Sequence, residues 1–118
     1  MLIYVCIKSR RFIMTYKALA STLKVLSDAS RLEILDILSC GERCACDLLE
    51  HFQFSQPTLS HHMKTLVDQG FVTTFKDGNK RMYQLNHDKL KEINDHLSSL
   101  NASQEACICN TVKRGACQ

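Results

Sequence analysis

The chain has 118 residues, 45% of them hydrophobic and 23% charged, which is the usage of one globular domain and excludes a disordered chain or a second domain. The formal net charge of +3 permits an anionic partner without demanding one, and the low aromatic content with no Trp argues against a base-stacking surface for single strands. Seven cysteines, at positions 6, 40, 44, 46, 107, 109 and 117, are odd in number, and the leading apolar run 1–7 is too short for a signal segment, so reduced cytoplasmic thiols are expected rather than a secreted disulfide framework.

Residues 1–13, MLIYVCIKSRRFI, differ in character from the rest of the chain and are set apart as an extension outside the fold. Leu19, Leu23 and Leu26 recur at helical spacing and predict a helix over 15–26. Ser27 or Asp28 caps the next, whose Ile34, Leu35 and Leu38 share a face and which Gly41 stops. A short helix over about 46–52 turns Leu48, Leu49 and Phe52 inward. Gln53, Phe54 and Ser55 connect it to a helix over 56–69, with Ser55 as N-cap and Pro57 tolerated in the first turn. Leu59, Met63, Leu66 and Val67 form one apolar stripe there, opposite Thr58, His61, Lys64 and Thr65.

Gly70 ends that helix. Residues 72–75 suit a strand, Asp77-Gly78-Asn79 a turn, and 81–85 a return strand. The last helix spans about 87–100, with Leu90, Ile93, Leu97 and Leu100 on one face. From 101 to 118 the chain has no periodicity and carries three cysteines. Nothing reaches the length of a membrane span. The expected fold is mainly α with a small β-hairpin, a winged helix-turn-helix over 14–100. Such a unit lays its second helix in the DNA major groove, and fourteen residues make a rod of about 21 Å.

The stretches LSDASRLEILDIL, ERCACDLLEHF, SQPTLSHHMKTLVDQGFV and FKDGNKRMYQL resemble the ArsR/SmtB metalloregulatory repressors from Met14 onward. The combination of C-x-C-D-L directly ahead of S-Q-P-x-L-S-x-H carries the specificity; either half alone is weak. The resemblance implies a homodimeric DNA-binding transcriptional repressor of an arsenical-resistance operon, joined through its first and last helices. It implies release from double-stranded operator when As(III) or Sb(III) binds as inducer, with no other cofactor required.

Trivalent arsenic and antimony are soft, and thiolates are the matching protein donors. Cys44 and Cys46 are the expected ligands; the plain alternative is two small core residues. Two residues apart, they would point about 200° apart in a regular helix and to opposite faces in a strand. The pair is therefore expected at a frayed helix start, or to distort the helix on binding. Some family members carry a third Cys three residues after the second; here Leu49 stands there. Cys40 is the nearby candidate for a third thiolate, with Cys107, Cys109 and Cys117 further off and a two-thiolate site with a small exogenous ligand also open.

Cadmium-type relatives borrow cysteines from an N-terminal arm, where this chain has Cys6. Zinc-type relatives use imidazoles on the last helix, where Lys89 and Leu100 stand here; His87 and His96 do not rebuild that site, and His96 is expected to be solvated or dimer-facing. For DNA, Gln56, Thr58, Ser60, His61 and Lys64 are the candidates for the groove, and Lys76, Lys80 and Arg81 for phosphates. A cadmium/lead or thiol-redox sensor of the same family is the nearest alternative. A thiolate metal carrier would explain the cysteines but not the helix-turn-helix, and a thiol enzyme lacks its C-x-x-C or anion-binding loop.

Overall fold

The computed structural model describes residues 15–101. In chain order it contains α1 (Tyr16–Leu26), α2 (Ala29–Ser39), β1 (Arg43–Cys44), α3 (Ala45–Phe52), α4 (Gln56–Asp68), β2 (Val72–Asp77), β3 (Lys80–Leu85) and α5 (His87–Ser99). Every predicted helix and both wing strands are present, with ends moved by a residue or two. The extension 1–13 with Cys6, and Cys107, Cys109 and Cys117 of the tail, lie outside the described residues.

Two compact units make up the described chain. The larger is Thr22–Leu90; the smaller contains residues 15–21 and 91–101. In the larger unit the predicted stripes pack as one core: Ile34, Leu35 and Leu38 of α2, Leu48 of α3, and Leu59, Met63 and Leu66 of α4 are buried, with Val72 and Leu85 from the strands and Phe71 just ahead of β2. Each such side chain contributes about 2 kcal/mol of burial. Leu49, Phe52 and Val67 are half-buried at its margin.

Local chemistry sets the helix ends. The Asp28 carboxylate caps α2 by accepting the Arg31 N–H at 3.0 Å. Ser55 caps α4 by accepting the Thr58 N–H, and Pro57 sits in the first turn, where its missing N–H costs nothing. Past α4, Gly70 takes φ +84. The Gly70 N–H then reaches the Val67 carbonyl and the Phe71 N–H reaches the Leu66 carbonyl, a Schellman closure that delivers Phe71 into the core beside Leu66.

The Arg31 N–H, donating to it, holds the Asp28 carboxyl below its ordinary value. The lowered value means that the cap stabilises above the ordinary carboxyl range and is lost as pH falls through the lowered value. Asp28→Ala is expected to cost about 1 kcal/mol at neutral pH. In urea titrations the gap from the parent should close in acid; a gap that persists there would assign the loss to something other than the cap.

The wing is a hairpin in which Val72 faces Leu85 and Asp77 faces Lys80. Gly78 has φ +63 at the first of its two loop positions, as a type II′ turn requires. The sheet has a third strand that the expected hairpin does not contain. β1 pairs antiparallel with β3, Arg43 opposite Tyr83 and Cys44 opposite Met82, giving the order β1-β3-β2. A two-residue strand has no alternation to betray it; it exists because β3 offers an open edge.

In the smaller unit Leu19, Ile93, His96 and Ser99 are buried. The expected apolar face of α5 is only partly covered: Leu97 is 40% and Leu100 65% exposed. Of the two expectations for His96, solvated or dimer-facing, the solvated one is corrected. His96 is 1% exposed, and its Nδ1–H donates to the Glu92 carbonyl one turn back, so the imidazole is held against its own helix.

Candidate nucleic-acid interface and metal centre

α3 and α4 are the two helices of a helix-turn-helix. Gln53 takes φ 56 at the end of α3, and Ser55 restarts the chain two residues later. The buried stripe of α4 fixes its rotation, so Gln56, Thr58, Ser60, His61 and Lys64 are all exposed on the other side. They differ in readiness. The Thr58 hydroxyl is engaged with the Ser55 hydroxyl at 2.9 Å, and Lys64 pairs with Asp68 at 3.0 Å. That exposed ion pair is worth a few tenths of a kcal/mol and exchanges readily for a phosphate. Gln56 and Ser60 make no side-chain hydrogen bond among the described residues.

His62 is not among the residues expected from the sequence. It turns inward from α4, and its Nδ1 accepts from Arg31 Nη1 at 3.3 Å, while Arg31 Nε donates to the Val25 carbonyl at 2.6 Å. The start of α2 is thereby tied to the middle of α4. The helical period alone separates His62 from the neighbouring His61, which faces outward.

Register sorts the wing cations. Lys76 stands directly opposite Arg81, and Asp77 directly opposite Lys80. Side chains alternate along a strand, so the two pairs occupy opposite faces. Lys80 is matched by Asp77, whereas Lys76 and Arg81 set two like charges against each other, a local cost of about 0.2–1 kcal/mol. An anion bridging them removes that cost. The wing thus presents one unneutralised cationic pair rather than three equivalent cations.

Cys44 and Cys46 occupy the β1–α3 junction. Cys44 is the N-cap of α3, with extended backbone at φ −82 and ψ 161, and Cys46 lies in the first turn. Their Cα atoms are 5.2 Å apart and the sulfurs are joined as a disulfide. The pair sits at the helix start, as expected, but that start is capped rather than frayed. One cysteine is extended and the other helical, so the sulfurs converge without any loss of helix. Cys44 is 3% exposed, while Cys46 is exposed.

The helix start is capped from both directions. The Asp47 N–H donates to Cys44 Sγ at 3.2 Å, and the Cys44 N–H donates to Asp47 Oδ2 at 3.4 Å, a capping box with sulfur in place of a hydroxyl. Cys44 Sγ, Cys46 Sγ and an Asp47 carboxylate oxygen lie within 4.8 Å of one another. Once the disulfide is reduced, two soft donors and one oxygen suit a soft, low-coordinate ion. Asp47 is an addition to the expected ligands; in the sequence it reads only as a residue of the C-x-C-D-L run. Cys40 is not brought into this group. It is the C-cap of α2, exposed, with Sγ 4.0 Å from the Ser39 hydroxyl.

A family model described as bacterial regulatory protein, arsR family, matches residues 28–74, from the N-cap of α2 into β2. An arsenical resistance operon repressor of Staphylococcus xylosus is 67% identical over 104 residues, covering 88% of this chain and all of that protein. One from Staphylococcus aureus is 66% identical over the same length and shares. Among solved structures, a possible transcriptional regulator for arsenical resistance has a TM-score of 0.63 at 26% identity, covering 79% of this chain and 97% of that one.

Proposed function

The chain belongs to the arsR family of bacterial regulatory proteins, which are DNA-binding regulators, and from that premise we propose that it represses an arsenical-resistance operon and leaves its operator when trivalent arsenic or antimony binds Cys44 and Cys46. It acts by binding rather than as an enzyme. What carries the inducer assignment is the convergence of two sulfurs at the entry to the first helix of the helix-turn-helix. A thiolate carrier has no use for the exposed face of α4 or for the opposed Lys76 and Arg81.

The sulfur that binds is also the sulfur that caps. A soft ion held between Cys44 Sγ and Cys46 Sγ draws Cys44 Sγ away from the Asp47 N–H that donates to it, and β1, which holds Cys44 against Met82 of the wing, feels the change. Loss of one such cap costs about 1 kcal/mol. The exposed Leu97 of α5 and Leu100 just past its end support a homodimer through the terminal helices. Two caps per dimer then correspond to about a thirty-fold loss of operator affinity. The switch works by displacing the sulfur that caps α3.

No helix of the described residues is long and apolar enough to cross a membrane, and a regulator of this kind works in the cytoplasm on double-stranded operator DNA. The test is a mobility shift on the inverted repeat upstream of the operon. Reduced protein is expected to bind, and micromolar arsenite to abolish the shift. Oxidised protein keeps the Cys44 cap but has no thiolate, so it is expected to bind operator and ignore arsenite until a reductant is added. Operator binding unaffected by arsenite in the reduced protein would end this reading.

A further inference from the structure

The assignment of Cys44 and Cys46 as inducer ligands leaves the third position on the inducer open, and the identity of its partner rests on that assignment. Trivalent arsenic makes three bonds. When As(OH)3 reacts with two thiols, two As–S bonds form, two As–O bonds break, and the two thiol protons leave with the two hydroxyls as water. One hydroxyl remains on arsenic. It is a hydrogen-bond donor brought beside the Asp47 carboxylate, and a charged acceptor there gives the stronger kind of hydrogen bond. A third thiolate could displace it: Leu49 occupies the position that holds a third Cys in some relatives, Cys40 lies outside the cluster, and Cys107, Cys109 and Cys117 lie outside the described residues and are left to the test.

The acceptor present is Asp47. Its carboxylate lies within 4.8 Å of both sulfurs. Oδ2 is held only by the long 3.4 Å bond from the Cys44 N–H, and the other oxygen takes no hydrogen bond among the described residues. Asp47 is exposed, so the carboxylate can swing toward the sulfurs without displacing packed atoms. We propose that Asp47 is the specificity-determining residue of the inducer site: its carboxylate accepts the hydrogen bond from the hydroxyl that stays on arsenic or antimony, so that two thiolates suffice. The site then selects a trivalent hydroxide over an organoarsenical that keeps no hydroxyl.

Two probes separate this role from helix capping. Arsenite keeps one hydroxyl after binding two thiolates; phenylarsine oxide carries a phenyl group in the third position and keeps none. The reduced full-length protein is titrated with each, by calorimetry without DNA and by operator release. Asp47→Ala is expected to weaken arsenite by about ten- to a hundred-fold, the worth of a hydrogen bond to a charged acceptor. Phenylarsine oxide should bind as it does to the parent. Asp47→Asn, which keeps an acceptor oxygen, should fall between and guards against a fold lost in the alanine variant.

Equal losses for both probes would reduce Asp47 to a cap and overturn the proposal. A selective arsenite loss in Cys40→Ser, or in the triple variant Cys107→Ser, Cys109→Ser and Cys117→Ser, would put a thiolate in the third position and overturn it too. Failure of the parent to bind either probe would instead sink the inducer reading itself.

Discussion

Cys46→Ser is expected to abolish release of operator by arsenite while leaving operator binding at the parent level. Cys46 donates no cap, and its side chain is exposed, so α3 loses nothing when the sulfur goes. Inducer binding loses half of a chelate. The second arm of a chelate acts at an effective concentration worth about 10²–10⁴ in affinity, so the arsenite needed for half-release should rise at least about a hundred-fold. A variant released at the parent concentration would remove Cys46 from the ligand set.

Cys44 separates two roles that Cys46 does not combine. Serine is among the best N-caps, so Cys44→Ser should keep the Asp47 N–H satisfied, bind operator and ignore inducer. Cys44→Ala should lose the inducer response and also about 1 kcal/mol of stability. Thermal melts beside the release assay distinguish them. Equal melting of the serine and alanine variants would show that the sulfur's contact with the Asp47 N–H contributes nothing to α3.

The double variant Lys76→Ala with Arg81→Ala is expected to lose operator binding without losing stability. Each phosphate contact contributes about 0.9 to the slope of log affinity against log salt, so two contacts per protomer in the proposed dimer would account for a slope of about 3.6. At 0.1 M salt that is a loss of three to four decades in affinity. Folding should be unchanged or improved by up to about 1 kcal/mol, because two like charges no longer face each other across the hairpin. Lys80→Ala should weaken binding less, since Asp77 already faces that cation. A salt slope unmoved by the double change would take the wing away from the phosphates.

The helices were readable because their signals lie close together along the chain. The stripe Leu59, Met63, Leu66 is a matter of spacing, and it placed the exposed Gln56, Ser60 and His61 by subtraction. Caps at Asp28 and Ser55 and the stop at Gly70 are local chemistry, and each was found where the residue types put it. The C-x-C-D-L run ahead of S-Q-P-x-L-S-x-H identified the family for the same reason: both are short and contiguous.

Where contacts join distant segments, spacing was silent or misleading. Arg43 and Cys44 become a strand only because β3, some forty residues on, presents its edge. Spacing argued that Cys44 and Cys46 diverge, since it assumed one regular backbone for both. The change from strand to helix between them turns the sulfurs together and makes Asp47 a neighbour of each. Lys76, Lys80 and Arg81 looked equivalent until register matched one with Asp77 and opposed the other two. The amino-acid sequence by itself determined the elements, their caps and the family, because those depend on residues within a turn or two of one another. The tertiary structure decided how the sulfurs of Cys44 and Cys46 converge and how the charges of the wing are paired, because both depend on which segments meet and in which register.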